Sequence, residues 1–489
     1  NSQYSDQSAE SFMSDDYGYH NMNAGEKNIK VSSSLTETAM LSYMLRLNYS
    51  YKSRYLITLT GRQDGYSAFG TNNKYAFFPS VALAWNINSE KFMAGTSKWL
   101  DQLKLRLSYG SNGNQAISAY QTLDRLSAVK QYLFGDEATP VNGVYLPTNG
   151  VGNPNLKWET TNTFNAGLDY SFLNGRLLGS FDFYVSNTKD LLMSRSVPYM
   201  NGYRSIMDNI GSTRNIGLEF VLTSVNIRNK DFEWRTTFNL AWNKDEITKL
   251  ADNATQDLTN KWFVGESSRV YYDYNVVGTW QTNETTWDAT KKKYINADGK
   301  EIQKGAVPGS AKLEDVNGDG VIDSNDKKVI GSKLPSITSA LTNNFAYKNV
   351  YASFVLTGLF GQWRQMHDYN FDRWMPEFNY LSGMNYWTED NPTNEMTSPV
   401  YVPFNKHGFY KRMNYVHIKN VTLGYRLPKE WANSLGLQSI KCDLSVNNLY
   451  TFSNIKNALN FDSTQDDEKG AVIGYPTARS YVFTLNVSF

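Results

Sequence analysis

Twelve consecutive residues, Asp315-Val316-Asn317-Gly318-Asp319-Gly320-Val321-Ile322-Asp323-Ser324-Asn325-Asp326, place oxygen donors where an EF-hand type of calcium loop needs them. Asp315, Asn317, Asp319, Asp323 and Asp326 stand at loop positions 1, 3, 5, 9 and 12, and the carbonyl of Val321 takes position 7. Gly320 falls at position 6, where the chain must turn sharply. Calcium, a hard cation that takes oxygen ligands, is the cofactor this spacing suits. Position 12 departs from the pattern, because Asp326 is shorter than the usual Glu. Without metal the same residues form a solvated Asx-Gly turn. In either case the role expected is structural, with a bound ion offsetting carboxylate repulsion and holding the shape of a long loop.

A second concentration of chemistry lies in the connection 362–415, which carries Trp363, Tyr369, Phe371, Trp374, Phe378, Tyr380, Tyr386 and Trp387. Such rings stack on sugar faces, pack on a partner, or form the loop's own core. No nucleophile or metal-ligating histidine spacing accompanies them: His20, His367, His407 and His417 do not form an i, i+4 pair, and no G-x-S-x-G or phosphate loop is present. The acidic pairs Asp15-Asp16 and Asp466-Asp467 sit in loop-like sequence. No enzyme is expected.

The elements that would position these groups show in the periodicity. Strict alternation runs through Leu41, Tyr43, Leu45, Leu47, Tyr49; Leu103, Leu105, Leu107, Tyr109; Phe164, Ala166, Leu168, Tyr170, Phe172; Trp234, Thr236, Phe238, Leu240, Trp242; and Val421, Leu423, Tyr425, Leu427. A period of two puts these side chains on one face of a strand. The intervening residues are polar, as in Thr163, Asn165, Gly167, Asp169, Ser171. About thirteen strands are expected, near 36–50, 54–64, 75–88, 102–112, 157–172, 176–188, 209–226, 231–245, 336–347, 351–361, 416–427, 438–452 and 478–489. Each is long enough for the ~9–11 residues that cross a bilayer.

Composition narrows the class. The 489 residues hold 48 Lys+Arg against 47 Asp+Glu, so no overall field draws nucleic acid. Mean hydropathy is −0.51 and no run of 18 apolar residues occurs, which excludes a transmembrane helix bundle. It does not exclude a membrane barrel, which shows lipid only alternate side chains; aromatics at 14% suit its interfacial girdles. Cys442 is the sole cysteine, so no internal disulfide forms, and its place in the run Ile440, Cys442, Leu444, Val446 reads as an apolar strand residue. The chain opens Asn1-Ser2-Gln3-Tyr4, which is read as internal to a longer precursor.

Connection lengths give the orientation. Tight turns fall at Tyr51-Lys52-Ser53, Leu173-Asn174-Gly175 and Lys348-Asn349-Val350, the turn near 227–230 is short and that near 428–437 moderate, whereas 113–156, 189–208, 246–335, 362–415 and 453–477 are long. Asn174-Gly175 predicts a type I′ hairpin. Short turns on the periplasmic side and long loops outside are the asymmetry of outer-membrane barrels. The scheme requires the apolar run Tyr271–Trp280 to belong to a loop. The expected fold is all-β: one antiparallel transmembrane β-barrel domain over 1–489, whose two sheet edges await strands from elsewhere.

Several segments together resemble one family. They are Asn48–Tyr55, Arg62-Gln63-Asp64-Gly65-Tyr66-Ser67-Ala68-Phe69-Gly70, Phe78-Pro79-Ser80, Leu105–Gly110, Asn153-Pro154-Asn155-Leu156-Lys157-Trp158-Glu159, Asn215–Glu219, the Asp315–Asp326 loop, Tyr386–Asn394 and Ile418–Tyr425. In this order, over nearly the whole chain, they resemble the carboxy-terminal half of the SusC/RagA family of TonB-dependent outer-membrane transporters of Bacteroidetes. The resemblance implies a 22-stranded barrel around an amino-terminal plug, with this chain giving about 13 of the strands. It implies import of glycan (oligosaccharide) or peptide, capture by a SusD-like lipoprotein, and drive from TonB acting through an amino-terminal region that these residues lack. The closing stripe Tyr481, Phe483, Leu485, Val487, Phe489 is similar to the signal read by the barrel-assembly machinery. A passive porin and a soluble or surface carbohydrate-binding β protein are the alternatives.

Overall fold

The structure is a computed structural model, and it describes residues 2–10, 27–134, 139–145, 151–198, 200, 202–366, 383–400, 407–455 and 478–489. Thirteen antiparallel strands build one sheet: β1 (Met40–Tyr51), β2 (Tyr55–Tyr66), β3 (Tyr75–Asn86), β4 (Leu100–Asn114), β5 (Glu159–Phe172), β6 (Leu177–Lys189), β7 (Ser212–Arg228), β8 (Phe232–Lys249), β9 (Ile337–Tyr347), β10 (Val350–Gln365), β11 (Tyr410–Arg426), β12 (Ser439–Ser453) and β13 (Ser480–Ser488). Each pairs with its neighbours in sequence, the order that local hairpin connections dictate. The outer edges of β1 and β13 carry no further strand among the described residues, so the sheet is an open wall.

Register turns the alternation of single strands into a continuous surface. Tyr49 pairs with Ile57, Ile57 with Leu83, Leu83 with Leu107, and Leu107 with Ala166. The row continues through Phe183, Leu218, Trp242 and Ile337. A one-residue slip at most of these strands would put a polar or small side chain into that row, so the apolar face itself favours the pairing. Large apolar side chains of this face stand exposed: Tyr49 is 58% exposed in the row, and elsewhere on the face Leu45 is 78% exposed and Phe483 69%. Exposure of so many large apolar groups on a single face is the signature of a surface made for hydrocarbon.

The opposite face is hydrogen-bonded to itself. Thr163 meets Ser186 at 2.9 Å, Thr161 meets Thr188 at 2.8 Å, and Asn420 donates to Asn447 at 2.8 Å. A bond to a neighbouring strand satisfies each group while leaving the face wettable.

The turns follow the expected asymmetry. Lys52 and Ser53 hold φ of 52° and 53° between β1 and β2, and Lys348 holds 52° between β9 and β10. Between β5 and β6 the positive φ extends over Leu173, Asn174 and Gly175, and Phe172 pairs with Leu177. The connection is therefore four residues long instead of the two-residue type I′ turn expected from Asn174-Gly175. The link from β3 to β4, with short 3-10 turns at Ile87–Ser89 and Lys91–Thr96, is longer than its companions on that side.

Beyond the wall, the segment between β8 and β9 folds into a body of its own. The run Tyr271–Trp280 lies there, as the strand parity requires: Val270–Asp273 pairs with Lys328–Ser332, and Val276–Thr279 with Ala311–Leu313, both apart from the sheet. Trp280 stacks on Tyr294 with centroids 4.2 Å apart, over Ala306 and with Trp287 and Ile302 alongside. A separate hairpin, Ser2–Glu10 with Lys27–Thr36, precedes β1. At the outer rim Phe69, Phe78, Leu156 and Trp158 form a buried cluster that ties the connections to the wall.

Candidate functional site

The Asp315–Asp326 loop shows the turn expected of it. Gly318 and Gly320 adopt φ of 74° and 76°, a conformation only glycine takes without strain. Asp315 accepts from the amides of Gly318 at 2.7 Å and Gly320 at 2.8 Å, and Asp319 from Val321 at 2.8 Å. Asp323 accepts from the amide of Asn325 at 2.7 Å. Asp326 is fully buried and receives the amides of Val316 and Asp323, each at 2.8 Å. Ile322 drops into a small core with Tyr274 and Leu313, which anchors the loop to the body.

The all-oxygen donor set suits calcium, but in this arrangement the carboxylates cap amides. No three His, Cys, Asp or Glu groups converge as a metal cluster among the described residues.

Electrostatics around the loop hold it in place. Glu314 accepts from Lys328 at 2.9 Å and from Asn275 at 2.6 Å, and these two contacts keep its carboxyl below the usual carboxylate range. Burial raises the Tyr274 and Tyr294 hydroxyls above the ordinary tyrosine value, so both stay neutral.

The aromatic connection divides. Tyr369, Phe371, Trp374, Phe378 and Tyr380 lie outside the described residues. Trp387 is 6% exposed, donates its indole N–H to Gln281 Oε1 at 2.7 Å, and lies so close to Gly309 that a β-carbon there would fall 2.4 Å from its ring. It joins the body between β8 and β9 to the connection between β10 and β11, which is packing. Tyr386 forms an isolated bridge with Met396, and Trp363, on β10, crowds Gly331.

Sequence reasoning passed over an ion-pair triad on the wet face. Arg106 on β4 donates to Asp169 on β5 at 2.8 Å and to Asp182 on β6 at 3.0 Å. The guanidinium fork bridges three strands, a geometry that a lysine would not reproduce. The signal was present, because Arg106 and Asp169 occupy polar positions in alternating runs; what was missing was the register that brings them together.

The closing stripe lies on β13, paired through Val446 to Tyr481, Leu444 to Phe483, Cys442 to Leu485 and Ile440 to Val487. Phe489 is 86% exposed.

Comparison with known proteins places this wall among relatives. A family model described as TonB dependent receptor-like, beta-barrel, matches residues 1–318. TonB-dependent receptor P3 of Formosa agariphila is 34% identical over 504 residues, covering 98% of this chain and 48% of the relative. TonB-dependent receptor SusC of Bacteroides thetaiotaomicron is 33% identical over 413 residues, covering 81% and 38%. A solved structure of the RagAB peptide importer in its "closed-closed" state superposes with a TM-score of 0.78 at 25% identity, over 100% of this chain and 52% of that one. The chain spans about half the length of the curated relatives it matches.

Proposed function

The chain belongs to the TonB-dependent receptor β-barrel family, similar to SusC and RagA, and from that premise we propose that it forms the wall and outer loops of an importer for bulky nutrients. Its place is the bacterial outer membrane, with the long loops extracellular. The family is one of receptors and transporters, and the work assigned to these residues is positional: they exclude lipid, line a polar passage and present docking surface.

The observation that carries the reading is the apolar row from Tyr49 to Ile337, backed by a hydrogen-bonded polar face. A two-faced wall of thirteen strands serves passage across a bilayer and serves a compact soluble core poorly. The cargo is an oligosaccharide or a peptide, delivered by a SusD-like surface lipoprotein. Energy comes from TonB, acting through the amino-terminal region of the same protein.

The test is uptake of labelled oligosaccharide or peptide by cells with and without the gene. Import through this receptor requires loss of uptake on deletion and collapse of uptake when the proton gradient of the inner membrane is dissipated. Uptake that survives dissipation would identify a passive porin. Recovery of the protein in the aqueous fraction without detergent would identify a soluble binder.

A structural calcium completes the proposal. Asp315, Asn317, Asp319, Asp323, Asp326 and the Val321 carbonyl are the donors, and the ion would replace amide N–H groups as partner of the clustered carboxylates. What supports it is the donor spacing together with the left-handed turn at Gly320.

A further inference from the structure

The connection between β11 and β12 contains a short helix, α1 (Lys429–Ser434), that none of the other membrane-side turns has. It packs on β12. Ala432 is fully buried. Near the start of that strand Ile440, which shares the apolar face with Cys442 and Leu444, is buried as well. Ile440 is only 9% exposed, whereas Leu444, Phe483 and Leu485 on the same face are 52%, 69% and 56% exposed. Burial of Ala432 on the helix and of Ile440 on the strand it contacts fits a helix laid on the hydrocarbon-facing side of the wall, at its periplasmic end.

Successive helical residues turn by ~100°, so with Ala432 on the wall, Trp431 and Leu435 share one flank and Lys429 and Asn433 the other. Trp431 is 61% exposed and Leu435 64%. A tryptophan and a leucine held out together next to an apolar belt, with polar residues on the far flank, have the distribution of a segment seated in a membrane interface. Gly436, at φ 74°, ends the helix and returns the chain to β12.

We propose that α1 is an interfacial anchor: Trp431 and Leu435 insert between the headgroups and upper acyl chains of the periplasmic leaflet, extending the apolar belt of β11 to β13 below the strand ends. The occupant is phospholipid. The case rests on continuity with the belt that already meets lipid. A periplasmic protein on the same flank is the competing outcome.

The test uses the whole receptor, with Cys442→Ala and free of other cysteines, carrying one cysteine at a time in place of Trp431, Leu435 or Asn433. Each is labelled with an environment-sensitive fluorophore and reconstituted into phosphatidylethanolamine–phosphatidylglycerol vesicles containing lipids spin-labelled near the headgroup. The labels at 431 and 435 should be quenched severalfold more than the label at 433, and iodide should reach 433 more readily. Equal quenching at 431 and 433, or free access of iodide to 431, overturns the proposal and leaves that flank to a protein partner. Because all three sites are exposed, heat-modifiable migration of each variant verifies that the barrel has formed.

Discussion

Replacing Leu107 by arginine probes the wall where it is most demanding. Leu107 lies on the apolar face of β4, paired with Leu83 and Ala166. The aromatic level nearest the periplasm on this part of the sheet is set by Phe172, stacked on Trp99, and by Tyr170, which pairs with Leu103. Leu107 is four residues beyond Leu103, ~14 Å along the strand at ~3.4 Å per residue. A strand tilt of ~40° reduces that to ~10 Å of depth, close to the middle of an apolar band ~25 Å tall. Arginine at the midplane costs about 2–4 kcal/mol. Ser108→Arg, one residue along, puts the same charge on the wet face beside Asn165 and should cost under about 1 kcal/mol. The assay is folding of the full receptor into lipid vesicles across a urea series, read by heat-modifiable migration. If Ser108→Arg proves as damaging as Leu107→Arg, or more so, the faces have been assigned the wrong way round.

Other consequences follow from the same register. Leu485 pairs with Cys442, Cys442 with Tyr425, and Tyr425 with Val350, the first residue after the tight turn into β10. Leu485→Arg is therefore expected to cost only about 0–1 kcal/mol, the interfacial value, in the same vesicle assay. Trp387→Ala empties a packed site between two outer connections and should cost about 3–5 kcal/mol of local stability, read as faster proteolysis outside while the barrel persists. Asp315→Ala should leave the barrel folded and remove any protection that added calcium would give the 246–335 connection; equal protease sensitivity with and without chelator in the native protein counts against the proposed ion. Glu314 has a depressed pKa in the fold, so its contribution is present above the unfolded value near ~4.3 and is lost as pH falls through the lower folded one. Corrected for the intrinsic slowing of amide exchange in acid, protection of the Ala311–Leu313 and Lys328–Ser332 strands should fall on acidification through that window, and Glu314→Gln should weaken the dependence.

The wall was legible in the sequence because its physics is local. Lipid on one side and water on the other impose a two-residue period, and all thirteen strands lie where that period runs. Their ends were less legible: β10 continues to Gln365 and β11 begins at Tyr410, beyond the alternating stretches, because above the bilayer both faces meet protein or water and the pattern lapses. The hairpin Ser2–Glu10 with Lys27–Thr36 was missed because its first strand has no apolar stripe and its second only Ile29, Val31 and Leu35, broken at Ser33. Helix α1 was hidden inside a connection judged only by its length.

The site was legible in part. The turn at Gly320 follows from glycine's freedom at positive φ and needs no tertiary information. By contrast, the contact of Trp387 with Gln281, and that of Arg106 with Asp169 and Asp182, join residues that only the folded register brings together. A ring count cannot separate a binding aromatic from a packing one; burial against Gln281 and Gly309, as Trp387 shows, is visible only in the fold.

Adjacent residues of these strands face two different media. Nitroxide labels placed singly at each position from 163 to 172 on β5, in the reconstituted receptor lacking Cys442, measure this directly through collision with oxygen, which partitions into lipid, and with a nickel chelate, which stays in water. Oxygen accessibility should peak at Phe164, Ala166, Leu168 and Tyr170, and nickel accessibility at the residues between them, out of phase by one position. Two profiles in phase, or no two-residue period in either, would mean that neighbouring residues share one medium.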